Sequence, residues 1–226
     1  MAATTSILES RPWAAPTRSS PKCIAMDNKI VLASGNTGKL EELRELLADS
    51  GIELVPQTEL GVGDAEETGR TFVENAILKA RHAADATGLP ALADDSGLCV
   101  DALDGAPGLY SARFAGVHGD NSANNAKLLR ELEDVPDDRR GAHFVCVLAL
   151  LRSADDPDPL IAHGRWQGRV LPAPRGTRGF GYDPVFLPDD GHGASAAELD
   201  PAVKNRIGHR GQALAALAKM LGARGR

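Results

Sequence analysis

The chain has 226 residues, 42% hydrophobic and 25% charged, an ordinary globular composition with room for a sizeable core. A net charge of −6 leaves no basic footprint for a nucleic-acid polymer, and 4% aromatic residues offer few rings for stacking bases along a strand. The longest apolar run, residues 144–151, falls far short of the ~20 residues that cross a bilayer, so no membrane partner is expected.

Residues 1–28 are rich in Ala, Ser, Thr and Pro, with Glu9 the only acid before Asp27. They lack the apolar centre of a secretory signal and read as a disordered extension or a transit peptide, with Met26 an alternative start. Residues 29–226 are expected to form a single two-lobed domain. Cys23, Cys99 and Cys146 are an odd set without metal-ligand spacing, which points to a reducing, cytoplasmic compartment.

The folded part opens with Lys29, Ile30, Val31, Leu32 and Ala33, a short β-branched run that reads as a buried strand. Ser34, Gly35, Asn36, Thr37, Gly38 and Lys39 follow, and then Leu40, Leu43, Leu46 and Leu47 at helical spacing. Strand, glycine loop and helix make a phosphate-binding arrangement, because the N–H groups and positive dipole end of a helix start favour an anion. It is not a Walker A loop: only two residues separate Gly35 from Gly38, and Leu40 stands where a magnesium-holding hydroxyl would be. A plain glycine turn is the simpler alternative.

A second strand over residues 52–55 leads to an acidic loop with Glu66 and Glu67, then a helix beginning near Thr71, where Thr71 and Glu74 fit a capping box. Phe72, Ala76, Ala80 and Ala83 form its apolar stripe, and Lys79 lies on or beside that stripe. Such a lysine either snorkels to water or points into a cleft that holds something negative. His82 and Arg81 fall on other faces.

Ala93, Asp94, Asp95, Ser96 and Gly97 are the centre of the chain. Adjacent carboxylates between an apolar strand and a glycine are costly to bury unless a cation or proton neutralises them. A metal site or a solvated turn both fit. Alternation sends neighbouring side chains to opposite sides, so one of Asp94 and Asp95 faces the ligand and the other braces the loop. Downstream, Gly105, Ala106, Pro107 and Gly108 form a rigid turn, and Arg113 is placed to pair with phosphate or Asp94. Residues 121–133 read as a helix with Leu128, Leu129 and Leu132 inward, closed by a turn at residues 135–138 that marks a boundary.

Residues 142–151 and 160–167 are apolar strands joined by an Asp/Pro-rich hairpin, a second lobe packed on a common sheet. Phe180, flanked by Gly179 and Gly181 and followed by Tyr182 and Asp183, sits in a glycine-rich loop. A base stacked on its ring and a Phe plugging the loop onto the sheet are equal readings. Lys204, Arg206, His209 and Arg210 form the one dense basic cluster, expected in a short glycine-bounded turn ahead of a terminal helix over residues 212–221 and read as an anion and base site.

Taken in order and spacing, residues 34–39, 66–69 with 71–76, 93–97, 105–108 with 110–113, 179–184 and 208–211 resemble the inosine/xanthosine triphosphate pyrophosphatases. The likeness covers residues 29–222. Gly208 departs from it, standing where a Ser precedes the His–Arg pair, and residues 1–28 have no counterpart. The resemblance implies an α/β fold, an elongated mixed central sheet flanked by helices, with the active cleft between two lobes. It implies hydrolysis of dITP, ITP and XTP to monophosphate and pyrophosphate, and a homodimer. Asp95 would activate water with Lys79 beside it, and Asp95 with Glu67 or Glu66 would hold Mg²⁺. Ser34 to Lys39, Lys79, Ser96 and Lys204 would cradle the triphosphate. Phe180 would stack on the base, with Gly181, Tyr182, Asp183, His209 and Arg210 reading its edge. A modified-nucleotide pyrophosphatase and a non-catalytic nucleotide sensor are the other two classes consistent with these residues.

Overall fold

The computed structural model describes residues 29–48 and 51–224, so the expected extension at residues 1–28 lies outside the described residues. Among them, no helix is long and apolar enough to cross a membrane. Six strands form one mixed sheet: β1 (Lys29–Ala33), β2 (Glu53–Pro56), β3 (Ala91–Val100), β4 (Gly141–Leu151), β5 (Leu160–Val170) and β6 (Phe186–Pro188). Their order is β2-β1-β3-β4-β5-β6, parallel from β2 to β3 and antiparallel from there to β6. The turn at residues 135–138 does not interrupt this sheet, since β3 and β4 pair in unbroken register from Ala91↔Leu151 to Val100↔Ala142.

Helices α1 (Thr37–Leu47), α2 (Phe72–Thr87), α3 (Asn121–Glu131), α4 (Pro201–Ile207) and α5 (His209–Arg224) flank the sheet. Alternation along the strands divides the core. On one face Val31, Ala33, Ala91, Ala93, Val147 and Ala149 meet the alanine stripe of α2. On the other, Ile30, Leu32, Leu92, Cys146, Leu148 and Leu150 meet Leu43 of α1 and Ala213, Leu214 and Leu217 of α5. A third cluster gathers Phe144, Trp166 and Phe186 beneath Leu128 and Leu132. The start of α2 is fixed by Thr71 Oγ1, which accepts from the Glu74 N–H at 3.2 Å, while Glu74 Oε2 accepts from the Arg70 N–H at 2.7 Å.

Two local expectations give way here. Asp94 and Asp95 lie inside the ten-residue β3, opposite Leu148 and Val147, rather than in a turn. The antiparallel ladder with β4 satisfies their backbone groups, and the carboxylates find cations from distant elements instead of water. Likewise Lys204, Arg206, His209 and Arg210 are helical: α4 ends at Ile207 and α5 begins at His209, three residues ahead of the expected start. Gly208, extended at φ −67°, makes the corner between them.

The approach of α5 depends on Gly164 in β5, because a Cβ there would overlap the His209 carbonyl oxygen and lie 2.6 Å from the Ala213 nitrogen. We expect Gly164→Ala to cost about 1–3 kcal/mol by overpacking, read in urea unfolding. An unchanged denaturation midpoint would show that the helix can move without penalty.

Candidate active site

A cavity of about 640 Å³ opens where the β1–α1 loop, the middle of β3, the acidic loop, the Phe180 loop and the α4–α5 corner converge. This volume is ordinary for a small-molecule site. Asn36 caps α1, its Oδ1 accepting from the Lys39 N–H at 3.1 Å, and that turns Lys39 towards β3.

Asp94 and Asp95 project to opposite faces of β3 and meet different partners. Asp94 is wholly buried, with Lys39 Nζ 2.6 Å from Oδ1 and Arg210 Nε donating to Oδ2 at 2.7 Å. The buried Cys146 thiol also donates to Oδ2, at 3.2 Å. Burial alone would raise the Asp94 pKa, but Arg210 and Lys39 outweigh it and hold the carboxyl well below the usual range. Asp95 receives Lys79 Nζ at 2.6 Å; the same ammonium donates to Glu67 at 3.2 Å and to the Asp94 carbonyl at 2.9 Å. Burial pushes the Asp95 pKa up despite Lys79, which makes it a stronger base than a surface aspartate. Lys79 stays charged, because Asp95 and Glu67 outweigh its own burial.

The wall around Phe180 is a second charge array. Lys204 Nζ donates to Asp183 at 2.5 Å and to Glu42 at 2.8 Å, while Arg210 reaches Glu42 and, at 3.3 Å, Ser96 Oγ. Asp183 also accepts the Phe180 N–H at 2.8 Å, so it folds the loop as well as anchoring Lys204. The Phe180 ring lies over both cations, 5.1 Å from Lys204 Nζ and 5.8 Å from Arg210 Cζ. It leans on α1 at Gly38, where a Cβ would stand 2.8 Å from the ring. His209 stacks on Phe144 at 4.7 Å, and burial together with Arg210 drives its pKa well below the ordinary value, so it is neutral. Its Nδ1 finds no hydrogen-bond partner among the described residues.

Residues 30–220 match the model of the Ham1 family. The chain belongs to the Ham1 family. It is 63% identical over 192 residues to the dITP/XTP pyrophosphatase of Xanthomonas campestris pv. campestris, covering 85% of this chain and 96% of that one. It is 59% identical over 194 residues to the Escherichia coli O157:H7 protein of the same name, covering 85% and 98%. Among solved structures, a HAM1 protein from Coxiella burnetii aligns at TM-score 0.79 and 55% identity, over 86% of this chain and 98% of that one. A nucleoside-triphosphatase / dITP/XTP pyrophosphatase from Mycobacterium abscessus aligns at TM-score 0.67 and 49% identity, over 85% and 99%. The α/β architecture with a mixed sheet is that of Ham1 structures.

Within this Ham1 chain the cavity gathers Ser34, Gly35, Asn36, Lys39, Lys79, Asp95, Ser96, Glu67, Phe180, Gly181, Tyr182, Asp183, Lys204, His209 and Arg210. Thr37 and Gly38 line an adjoining cavity of about 600 Å³ instead, on the far side of Phe180. Glu66 lines neither, which separates it from Glu67. Arg113 reaches Glu67 at 3.4 Å rather than Asp94, whose carboxylate is ion-paired with Lys39 and Arg210. Arg206 is exposed on α4 and lines neither cavity. The Tyr182 hydroxyl donates to the Ser111 carbonyl at 2.9 Å, an internal brace.

Glu42, Gln57, His118 and Asn121 are among the lining residues that the sequence did not single out, whereas Asp64 opens the acidic loop that it did mark. Glu42 had one usable signal, since it lies three residues after Lys39 and so on the same side of α1. Nothing local marks His118.

Replacing Asp94 by Asn removes the carboxylate that Lys39 and Arg210 share, and should cost about 3–5 kcal/mol of stability. The native pKa lies below the unfolded one, so Asp94 stabilises fully above pH ~4 and loses that contribution as pH falls further. Urea unfolding from pH 7 to pH 2 should therefore show a shallower acid decline in Asp94→Asn than in the parent protein. Parallel curves would contradict the buried ion pairs.

Proposed function

We propose that this chain hydrolyses deaminated purine nucleoside triphosphates, dITP, ITP and XTP, to the monophosphate and pyrophosphate, removing them from the nucleotide pool. The observation that carries the reading is the Asp95–Lys79–Glu67 cluster, a basic carboxylate beside a fixed cation, opening into the same cavity as the Ser34–Lys39 loop. The name dITP/XTP pyrophosphatase on relatives at 56–63% identity supports the same chemistry.

Asp95 takes a proton from water as the water oxygen bonds to one phosphorus of the α–β bridge. The bridging oxygen then leaves with the other phosphoryl group, completing the cut. Lys79 orients the Asp95 carboxylate and supplies positive charge beside the developing negative charge. Ser34, Gly35, Asn36, Lys39, Ser96 and Lys204 hold the triphosphate, while Thr37 and Gly38 open α1 behind the loop. Phe180 stacks on the base, and Gly181, Tyr182, Asp183, His209 and Arg210 surround its edge.

Mg²⁺ suits the donors on this side of the cavity. Asp95 and Glu67 both converge on the Lys79 ammonium, so two hard oxygen donors already share one cationic position. No group of three or more metal-ligating side chains exists among the described residues, so an ion here would take its remaining ligands from phosphate and water. Bound there, Mg²⁺ would neutralise phosphate charge and lower the pKa of water.

The same reading takes residues 29–226 as one domain with the cleft between two lobes, acting as a cytoplasmic homodimer. The unpaired thiols of Cys99 and Cys146 support the reducing compartment.

Pyrophosphate release should be fast from ITP, dITP and XTP and slow from GTP and ATP, and it should stop with chelator. Asp95→Asn should lower kcat by about 10²–10⁴-fold while ITP binding persists in calorimetry. Full turnover in that variant would remove Asp95 from the chemistry, and no pyrophosphate from any triphosphate would sink the reading itself.

A further inference from the structure

The β1–α1 loop is faced by a negative charge that binding a polyanion does not call for. Asp64, at the head of the acidic loop, sets its carboxylate against Gly35: a Cβ on that glycine would stand 3.3 Å from Oδ1 and 3.4 Å from Oδ2. The carboxylate is anchored there, because the buried Gln57 amide, just after β2, donates to Oδ1 at 2.7 Å. Both residues line the main cavity with Ser34, Gly35 and Asn36. The other carboxylates lining that cavity are each paired with a cation: Glu67 and Asp95 with Lys79, and Asp183 with Lys204. Among the described residues Asp64 forms no ion pair.

An uncompensated carboxylate beside the phosphate loop weakens attraction for any anion that enters. Metal ligation does not account for it, since among the described residues Asp64 joins no group of three His, Cys, Asp or Glu side chains that could hold an ion. Its place along the loop does. Gly38 stands at Phe180, where a Cβ would lie 2.8 Å from the ring, and Gly35 stands at Asp64, so the loop runs from the aromatic ring to the carboxylate. A nucleotide whose base rests on Phe180 directs its β- and γ-phosphates towards Asp64. Cleavage of the α–β bridge leaves those two groups as pyrophosphate, with one more terminal oxygen and hence more negative charge than they carry in the substrate. A fixed negative charge beside them therefore repels the product more than the substrate. Such a difference speeds departure of the product without an equal loss of substrate, and product release is a step that often sets turnover.

We infer that Asp64 is a product-release residue: anchored by Gln57 against Gly35, its carboxylate weakens the hold of the β1–α1 loop on pyrophosphate and drives it out after cleavage. This rests on the proposed triphosphate cleavage and adds the release step to it.

The test measures pyrophosphate as an inhibitor of IMP formation from ITP and, by calorimetry, as a ligand. It compares the parent protein, Asp64→Asn and Asp64→Ala, with Asp85→Asn on the exposed side of α2 as control. Asp64→Asn keeps an acceptor for Gln57 and removes only the charge. It should lower both Ki and Kd for pyrophosphate at least about fivefold, the equivalent of one unit charge at contact distance in water, while KM for ITP falls less. Asp64→Ala should act in the same direction, and Asp85→Asn should change neither constant. A merely structural role would move these values the other way, since a loosened acidic loop weakens binding. The Mg²⁺ concentration that gives half-maximal ITP turnover should stay unchanged in Asp64→Asn. A rise in that concentration would make Asp64 a metal ligand and overturn the inference. Unchanged or weaker pyrophosphate binding, or an equal tightening for ITP and pyrophosphate, would overturn it as well. Inactivity of the parent protein on ITP would instead overturn the activity on which it rests.

Discussion

The buried carboxylate of Asp94, gripped by Lys39 on one side and Arg210 on the other, is the constraint around which the site is arranged. A charge with no exposure at the centre of a sheet is tolerable only if cations are brought to it. Those cations come from α1 and α5, the first and last helices of the described chain, at residues 55 and 116 positions away from it. Their ion pairs therefore tie both helices to the middle strand. The loop ahead of α1 and the corner ahead of α5 are fixed by the same contact. Both lie on the cavity.

Alternation along β3 then separates structural and chemical duties. Asp94 faces α5, where two cations depress its pKa; Asp95 faces α2, where burial raises it and Lys79 alone of the nearby cations donates to it. Neighbouring residues of one type thus end with opposite acid–base character. In the proposed function that divergence serves hydrolysis, pairing a carboxylate that never lets go of its scaffold with one basic enough to take a proton. The small side chains of the α2 stripe allow Lys79 its place, since Ala76, Ala80 and Ala83 bring the helix close to the sheet.

The wall around Phe180 is organised by saturation. Lys204 and Arg210 are each held by two carboxylates, and Asp183 folds the Phe180 loop by accepting its N–H. Phe180 is consequently both a lid on the cations and a partition between two adjoining cavities. His209, neutral and stacked on Phe144, adds an imidazole without adding charge.

The sequence by itself determined the alternation of strands and helices, the capping of α2 at Thr71, the hairpin of β4 and β5 and about half of the residues that line the cavity. These are local properties: period, caps, glycines and clustered charge are written within a few positions of one another. Only the tertiary structure decided that the Asp94–Asp95 pair is strand and not turn, because the ladder with β4 and the cations that neutralise the pair come from far along the chain. For the same reason it alone separated Glu67 from Glu66, moved Arg113 from Asp94 to Glu67, and revealed Glu42. Where a charge goes on folding depends on which opposite charge reaches it first through space, and spacing along one chain does not encode that distance.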